Sequence, residues 1–330
     1  LLRMAQFLEA VSRFRGAFPH FVNGATGQVV PFSRYDDGGD LVETALLLQG
    51  MICARQYFDA EAGHEAELRL TIGRIIETVE WDRYVRQPSG PLFWHWSPRH
   101  RWKMNLPIVG WNEGLCAYVL AAGAEGNAIA AECFHLGWAG GTLKNGNRYY
   151  GQTLPLGPAY GGPLFFAHAA FSALDPARLS DRYCDYWQQN LAHAAIHHAH
   201  SVINPNNHRG YSAQCWGLTG SHGPAGYLAS APDNDHGIIA PTAALSSFAY
   251  LPQQSEAALR HYLGFCEGRL WGRYGLVDAF RADGGWISRT YLAVNQGPIV
   301  AMIENHRSGL LWDLFMQAKE VRRGLSRLGI

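Results

Sequence analysis

Tyr35-Asp36-Asp37-Gly38-Gly39-Asp40-Leu41-Val42-Glu43-Thr44 places four carboxylates within eight residues, around a glycine pair, and runs directly into the apolar segment Ala45-Leu46-Leu47-Leu48. A Gly-Gly pair suits a tight turn and the apolar run has helical spacing, so the acids sit where a loop enters a helix. Carboxylates this close cannot all ionise freely. In a cleft, at least one keeps its proton to higher pH and can donate it beside charged neighbours. A plainer reading covers two of the four: Asp40-x-x-Glu43 is a capping-box pattern, with Asp40 as N-cap and Glu43 reaching back. Asp36 and Asp37 stay outside that explanation.

The same alternation of helix and loop extends in both directions. Helical spacing predicts helices over residues 1–14, 41–58, 63–81, 112–122, 127–136, 164–173, 180–202, 241–250, 254–268 and 298–320. A short hairpin turn is expected at Asn23-Gly24 and Thr26-Gly27. Between the helices lie loops rich in rings and polar edges: Phe93-Trp94-His95-Trp96-Ser97-Pro98, then Asn105 to Trp111, the Gly/Pro-dense Gly151 to Pro163, residues 204–236, and Trp271 to Trp286. There is no βαβ alternation, no dinucleotide glycine fingerprint and no linker-like stretch. The expected fold is all-α, a single α/α toroid over residues 1–330 with its functional loops gathered at one rim.

Charge balance narrows the partners. Lys+Arg and Asp+Glu are 27 each, which speaks against nucleic acid or an anionic membrane surface. No stretch reaches the roughly 18 apolar residues of a membrane span. The chain begins at Leu1 within helical sequence, so an upstream segment is expected to be missing. The six cysteines are scattered without a CxxC pair and read as buried free thiols. His193 and His197 are spaced i, i+4, but no acid stands at the HExxH glutamate position and no third ligand is evident, so no metal or other cofactor is expected. Asp36-Asp37-Gly38-Gly39-Asp40 spells DDxxD, a magnesium-diphosphate motif in other enzymes. That chemistry needs a continuous helical face, which the glycine pair breaks.

Rings point to sugar. Many of the 11 Trp, 15 Tyr and 15 Phe sit beside Gly, Pro, Asn and His rather than in smooth apolar runs, as in loops lining a sugar- or ring-binding cleft. Buried core is the plain alternative for each. Trp94, Trp96, Trp111, Trp216 and Trp286 all fall in loop-like segments, and at least three are expected to border one groove. Glu113 is a further acid at a helix start, read equally as a first-turn carboxylate favourable to the helix dipole or as a sugar contact.

Taken together, Asp36 to Thr44, Trp94 to Pro98, Gly110-Trp111-Asn112-Glu113, Leu154 to Phe166, Ile239 to Ser247 and Asn295-Gln296-Gly297-Pro298 resemble the bacterial glycoamylase-like proteins. That group includes the endo-β-1,2-glucanases of glycoside hydrolase family 144, and the likeness runs from about residue 16 to the C-terminus. The resemblance implies an (α/α)6 barrel, here without its first N-terminal helices, and inverting hydrolysis of a β-1,2-glucan by a periplasmic or secreted enzyme, expected to be a monomer. It places the important acids at Asp36, Asp40, Glu43 and Glu113, and sugar contacts at Trp94, His95, Trp96, Trp111, Asn112, Tyr160, Trp216, Asp235, Asp278, Trp286 and Asn295. In an inverting pair, one protonated acid donates to the leaving oxygen while a second carboxylate activates water. Two rivals remain open: a glycan-binding protein without catalysis, and a transglycosylase related to cyclic β-1,2-glucan synthases.

Overall fold

The computed structural model describes residues 1–141 and 143–330. Its helices are α1 (Leu2–Ala10), α2 (Leu41–Tyr57), α3 (Gly63–Glu77), α4 (Leu115–Gly123), α5 (Ala131–Leu136), α6 (Tyr186–Ile203), α7 (Pro241–Ser246), α8 (Pro252–Gly264), α9 (Ala293–Ser308), α10 (Leu310–Met316) and α11 (Lys319–Leu328). The strands pair only as short two-stranded antiparallel ribbons, including Phe21–Val22 with Val29–Val30 around the expected hairpin turn. The class is all-α, as the helix-and-loop rhythm predicts. No helix among the described residues is long and apolar enough to cross a membrane. The chain divides into two compact units, Leu1–Gly141 with Trp312–Ile330, and Thr142–Leu311.

In the first unit α4 is the centre. All nine of its residues, Leu115 to Gly123, are buried, as a helix apolar on every side must be. Helices α2 and α11 pack directly on it. The approach of α11 is closer than side chains allow, because a methyl at Gly324 would land on the Val119 carbonyl and one at Gly123 on that of Glu320. Two arginines of α11 then take carbonyls that the end of α4 leaves open: Arg323 Nε donates to Gly123 O (2.6 Å) and Arg327 Nη1 to Ala122 O (2.7 Å). Arg55 of α2 meets Glu320 of α11 at 2.5 Å.

The second unit is arranged on α6, whose N-cap Asp185 accepts from Gln188 N. Here the helices are shorter than their spacing suggests, for local reasons. Residues 164–173 form two 3₁₀ turns, Leu164–Ala167 and Ala170–Ser172. Leu164 N donates to Leu218 O and Phe165 N to Thr219 Oγ1, and the next amides make i→i−3 bonds, Phe166 N to Pro163 O and His168 N to Phe165 O. Residues 180–185 stay outside α6 because Asp181 Oδ1 accepts from Tyr183 N and Cys184 N, an Asx turn that competes with helix. In the last segment, helix starts earlier than expected, at Ala293, and breaks at Gly309, which is left-handed (φ 71°). All six cysteines are free thiols, four of them buried.

One chemical change should therefore have opposite signs at two sites. Gly324→Ala drives a methyl into the α4 backbone and should lower stability by about 1–3 kcal/mol. Gly50→Ala, on the exposed side of α2 with open space around the added methyl, should raise it by roughly 0.5–1 kcal/mol. Denaturant melts of both variants decide this; equal shifts would contradict the close-packing account.

Candidate active site

The acidic stretch is anchored from three directions. Asp40 N donates to Phe18 O (2.8 Å), Phe18 N donates to Thr44 Oγ1 (2.8 Å), and Gly39–Asp40 pair antiparallel with His95–Trp96. The glycine pair serves close approach rather than a turn requiring positive φ. A methyl on Gly38 would strike the Trp96 carbonyl, and one on Gly39 the Tyr84 hydroxyl. Neither glycine has room for a Cβ against these neighbours.

Asp40 does cap α2, since its Oδ1 accepts from Val42 N (3.1 Å) and Glu43 N (3.0 Å). The return half of the capping box is not made, because the Asp40 amide is already given to Phe18. Glu43 is thereby released from capping. Its carboxylate faces His20 instead, with Oε1 3.9 Å from Nε2.

His20 is the centre that sequence reasoning missed. Its Nδ1 lies 3.0 Å from Asp40 Oδ2 and 3.6 Å from Asp36 Oδ2, and its ring stacks on Phe32 at 4.2 Å. Burial works against a charge on this ring, but hydrogen bonds to Asp36 and Asp40 outweigh it and push its pKa up to about 10. A half-buried imidazolium thus stands among three carboxyl groups. Glu43 and Glu113 behave in the opposite sense. Burial, then the negative charge of Asp40, pushes Glu43 up to about 7. Burial, with added repulsion from Glu43 and Asp40, does the same for Glu113, whose Oε2 is shielded from solvent without a hydrogen-bond partner. That mutual repulsion places Glu113 in the same electrostatic neighbourhood as the acids of residues 36–43. Of the two groups able to hold a proton near neutral pH, Glu43 therefore faces the His20 ring directly, and Glu113 is coupled to Glu43 and Asp40 by charge.

His95 is 2% exposed and positions rather than touches: its Nε2 accepts from Gly38 N (3.0 Å) and lies 3.4 Å from Asp36 Oδ1. Burial pushes its pKa down, consistent with a neutral ring. Asp37 turns toward His100, 3.8 Å away. Among the described residues, His20, Asp36 and Asp40 have donor atoms near enough to hold a metal ion; in this arrangement the imidazolium already supplies the positive charge between the two aspartates. A cavity of about 1130 Å³ in the same unit does not include these acids. Its walls carry Arg55, Glu320, Lys319 and Glu125, paired with one another, so its volume is no guide to the chemistry.

The rings answer differently from expectation. Trp96 (9% exposed) is held between the Arg15 and Arg101 guanidinium groups, Trp111 (4%) packs on Trp138, and Trp216 (0%) donates from Nε1 to Gln254 O. Three of the five tryptophans are thus packing, with little or no ring face left for a sugar, and the expectation of three groove-lining indoles is corrected on that ground. Trp94 and Trp286 keep partial exposure. Asn112 spends its side chain locally, accepting from Gly114 N and donating to Val109 O. In the second unit, Asp278 is enclosed by Asn295 Nδ2 (2.8 Å) and His222 N (2.7 Å), and Asp235 by His200, Tyr211 and Gly237 N. Tyr160 is half-buried. His193 and His197 each bring Nε2 to Gly162 O at 2.9 Å, which occupies both nitrogens facing that side.

Residues 105–319 match the family model described as "Glycoamylase: Putative glucoamylase". The chain is 40% identical to an exo β-1,2-glucooligosaccharide sophorohydrolase (non-reducing end) of Parabacteroides distasonis, over 99% of this chain and 48% of that protein. It thus spans about half the length of the curated relative it matches. It is similar to the crystal structure of an endo-β-1,2-glucanase from Chitinophaga pinensis in complex with sophorotriose and glucose (44% identity, TM-score 0.96, 99% of this chain and 80% of that one). The structure of a β-1,2-glucanase from Parabacteroides distasonis is similar too (39% identity, TM-score 0.96, 99% and 50%). The fold is the one those structures share.

Glu113 carries a pH signature. Its pKa rises from 4.5 unfolded to about 7 folded, so its stabilising contribution is whole below about pH 4.5 and is lost as pH climbs through 7. Glu113→Gln removes that ionisation. The variant should gain on the parent chain by on the order of 1–3 kcal/mol at pH 8 and by little at pH 4. Paired thermal melts across pH 4–8 measure it; a pH-independent difference contradicts the assignment.

Proposed function

The chain belongs to the glycoamylase family, and from that premise we propose that it hydrolyses β-1,2-linked glucan, cutting within the chain by an inverting acid–base mechanism. The observation that carries this reading is the pair Glu43 and Glu113, each pushed up to about 7, with Glu113 in the field of Glu43 and Glu43 facing the His20 ring. An inverting glycosidase needs one protonated carboxyl for the leaving oxygen and one carboxylate for water. Two acids that repel one another's charge give that division without further help: ionising one holds the proton on the other. Asp36 completes the proposed catalytic set. Asp40, with every oxygen already engaged, acts as a positioning residue that holds His20 and the start of α2.

The likeness to the Chitinophaga endo-glucanase favours internal cleavage. The 40% likeness to a sophorohydrolase supports a second reading, release of sophorose from the non-reducing end. A periplasmic or secreted setting goes with either, since a polymeric glucan is met there.

Incubation with linear β-1,2-glucan and sizing of the products separates the outcomes. Internal cleavage lowers mean length early, with a spread of sizes; end-wise cleavage yields disaccharide from the first time point. Unchanged glucan, or redistribution into longer and cyclic products, would overturn hydrolysis. Glu43→Gln sharpens the test because Glu43 has no capping bond to lose. Turnover should fall by about 10²–10⁴ without any fall in melting temperature, which should instead rise at alkaline pH as the raised ionisation of Glu43 is removed, and full activity in the variant removes Glu43 from the mechanism.

A further inference from the structure

Away from the acid cluster, two bulky residues of the second unit hold backbone conformations that favour glycine. Tyr150 (φ 48°) and Gly151 (φ 86°) form the tip of the hairpin joining Arg148–Tyr149 to Gln152–Thr153. Such tips normally carry Asn, Asp or Gly at the position Tyr150 occupies. Tyr160 (φ 57°) lies within the Gly/Pro-dense loop that follows. An aromatic residue at positive φ is an outlier, and strain of this kind persists where the surroundings over-determine it, typically at ligand-binding positions.

The surroundings here are specific. The Tyr160 ring lies 4.4 Å from that of Tyr149 and 5.8 Å from that of Tyr150. All three are half-buried, with their undersides on Leu154, Ala192 and Ile196. The Tyr150 hydroxyl reaches His200 Nδ1 at 3.0 Å, and His200 Nε2 reaches Asp235 Oδ2 at 2.8 Å. Asp235 is held in turn by the Tyr211 hydroxyl (2.7 Å) and Gly237 N (2.9 Å), and its side chain has no exposure. A carboxylate can only accept, so it draws the His200 proton to Nε2 and leaves Nδ1 to accept from Tyr150. Core packing explains why the rings have buried undersides. It does not explain two tyrosines at positive φ or a buried Asp–His pair spent on orienting one hydroxyl.

We propose that Tyr149, Tyr150 and Tyr160 form a sugar-binding subsite, in which the rings meet the apolar face of one glucose unit and the Tyr150 oxygen accepts from a glucan hydroxyl. Because the Tyr150 proton goes to His200, its oxygen accepts from other groups, the Tyr160 hydroxyl beside it or a ligand hydroxyl, so the subsite selects a hydrogen-bond donor. Asp235 is then a positioning residue that acts through His200 and does not itself contact sugar. A neutral, polyhydroxylated ring with C–H faces is the ligand such a surface fits. The identity of the sugar rests on the β-1,2-glucan reading above.

The experiment titrates linear β-1,2-gluco-oligosaccharides calorimetrically into the Glu43→Gln chain, so that ligand persists, with and without Tyr150→Phe or Tyr149→Ala. Tyr150→Phe removes only the hydroxyl and should weaken binding about 3- to 10-fold, the worth of one neutral hydrogen bond. Tyr149→Ala removes a ring and leaves the His200 contact intact, so it reports on the platform even if Tyr150→Phe melts early. Weaker binding in folded variants, greatest for oligosaccharides long enough to fill the subsite, supports the proposal. Equal affinities across all three chains overturn it while leaving the glucanase reading in place. Oligosaccharides that neither bind the parent chain nor are cleaved by the unsubstituted protein overturn both.

Discussion

The carboxylate of Asp40 is the contact on which the candidate site depends. One oxygen closes the first turn of α2 through two amides, and the other holds His20. The backbone of the same residue joins Phe18 and accepts from the Thr44 hydroxyl. Every polar atom of Asp40 therefore serves both helix and site. This arrangement reconciles the structural and chemical roles of the acids: Asp40 is the cap, and because its amide is committed to Phe18, Glu43 is free to be something else.

How much of this was legible in the sequence follows from how local each cause is. The acid cluster and the N-cap were legible, since their partners lie within four residues. Helix class was legible from spacing, and helix ends less so, because Asp181 and Asn112 redirect nearby amides by side-chain bonds that spacing does not register. His20 was not legible. Its charge arises only when Phe18 is brought against Asp40, and nothing in Phe18-Pro19-His20-Phe21 announces that. The tryptophans were misjudged because loop position says nothing about ring direction. Trp96 alternates with His95 along one short strand, yet both point into packed surroundings.

Fifteen histidines in a chain of balanced charge look alike in sequence, and the structure separates them by what each nitrogen meets. His20 meets carboxylates and is driven to the cation. His193 meets a carbonyl in a fully buried setting, which pushes its pKa down to about 4. His168, bonded to Ser247, is pushed down to about 3. These neutral rings act as rigid hydrogen-bonding core residues. Their number is therefore no measure of metal binding or of acid–base chemistry.

The clasp of α11 on α4 has a consequence for how the chain becomes a protein. Arg323 and Arg327 bond to carbonyls 200 and 205 positions earlier, and the unit containing them is assembled from both ends of the sequence. The intervening unit, by contrast, is continuous. On a ribosome, residues 142–311 emerge as an uninterrupted block able to condense as it is made. Residues 1–141 must wait, with the wholly apolar α4 lacking one of its partners, until α11 leaves the tunnel. Contacts of such long sequence separation form slowly and leave apolar surface exposed meanwhile. In the interval between synthesis of α4 and arrival of α11, the face of α4 that α11 covers stays unpaired.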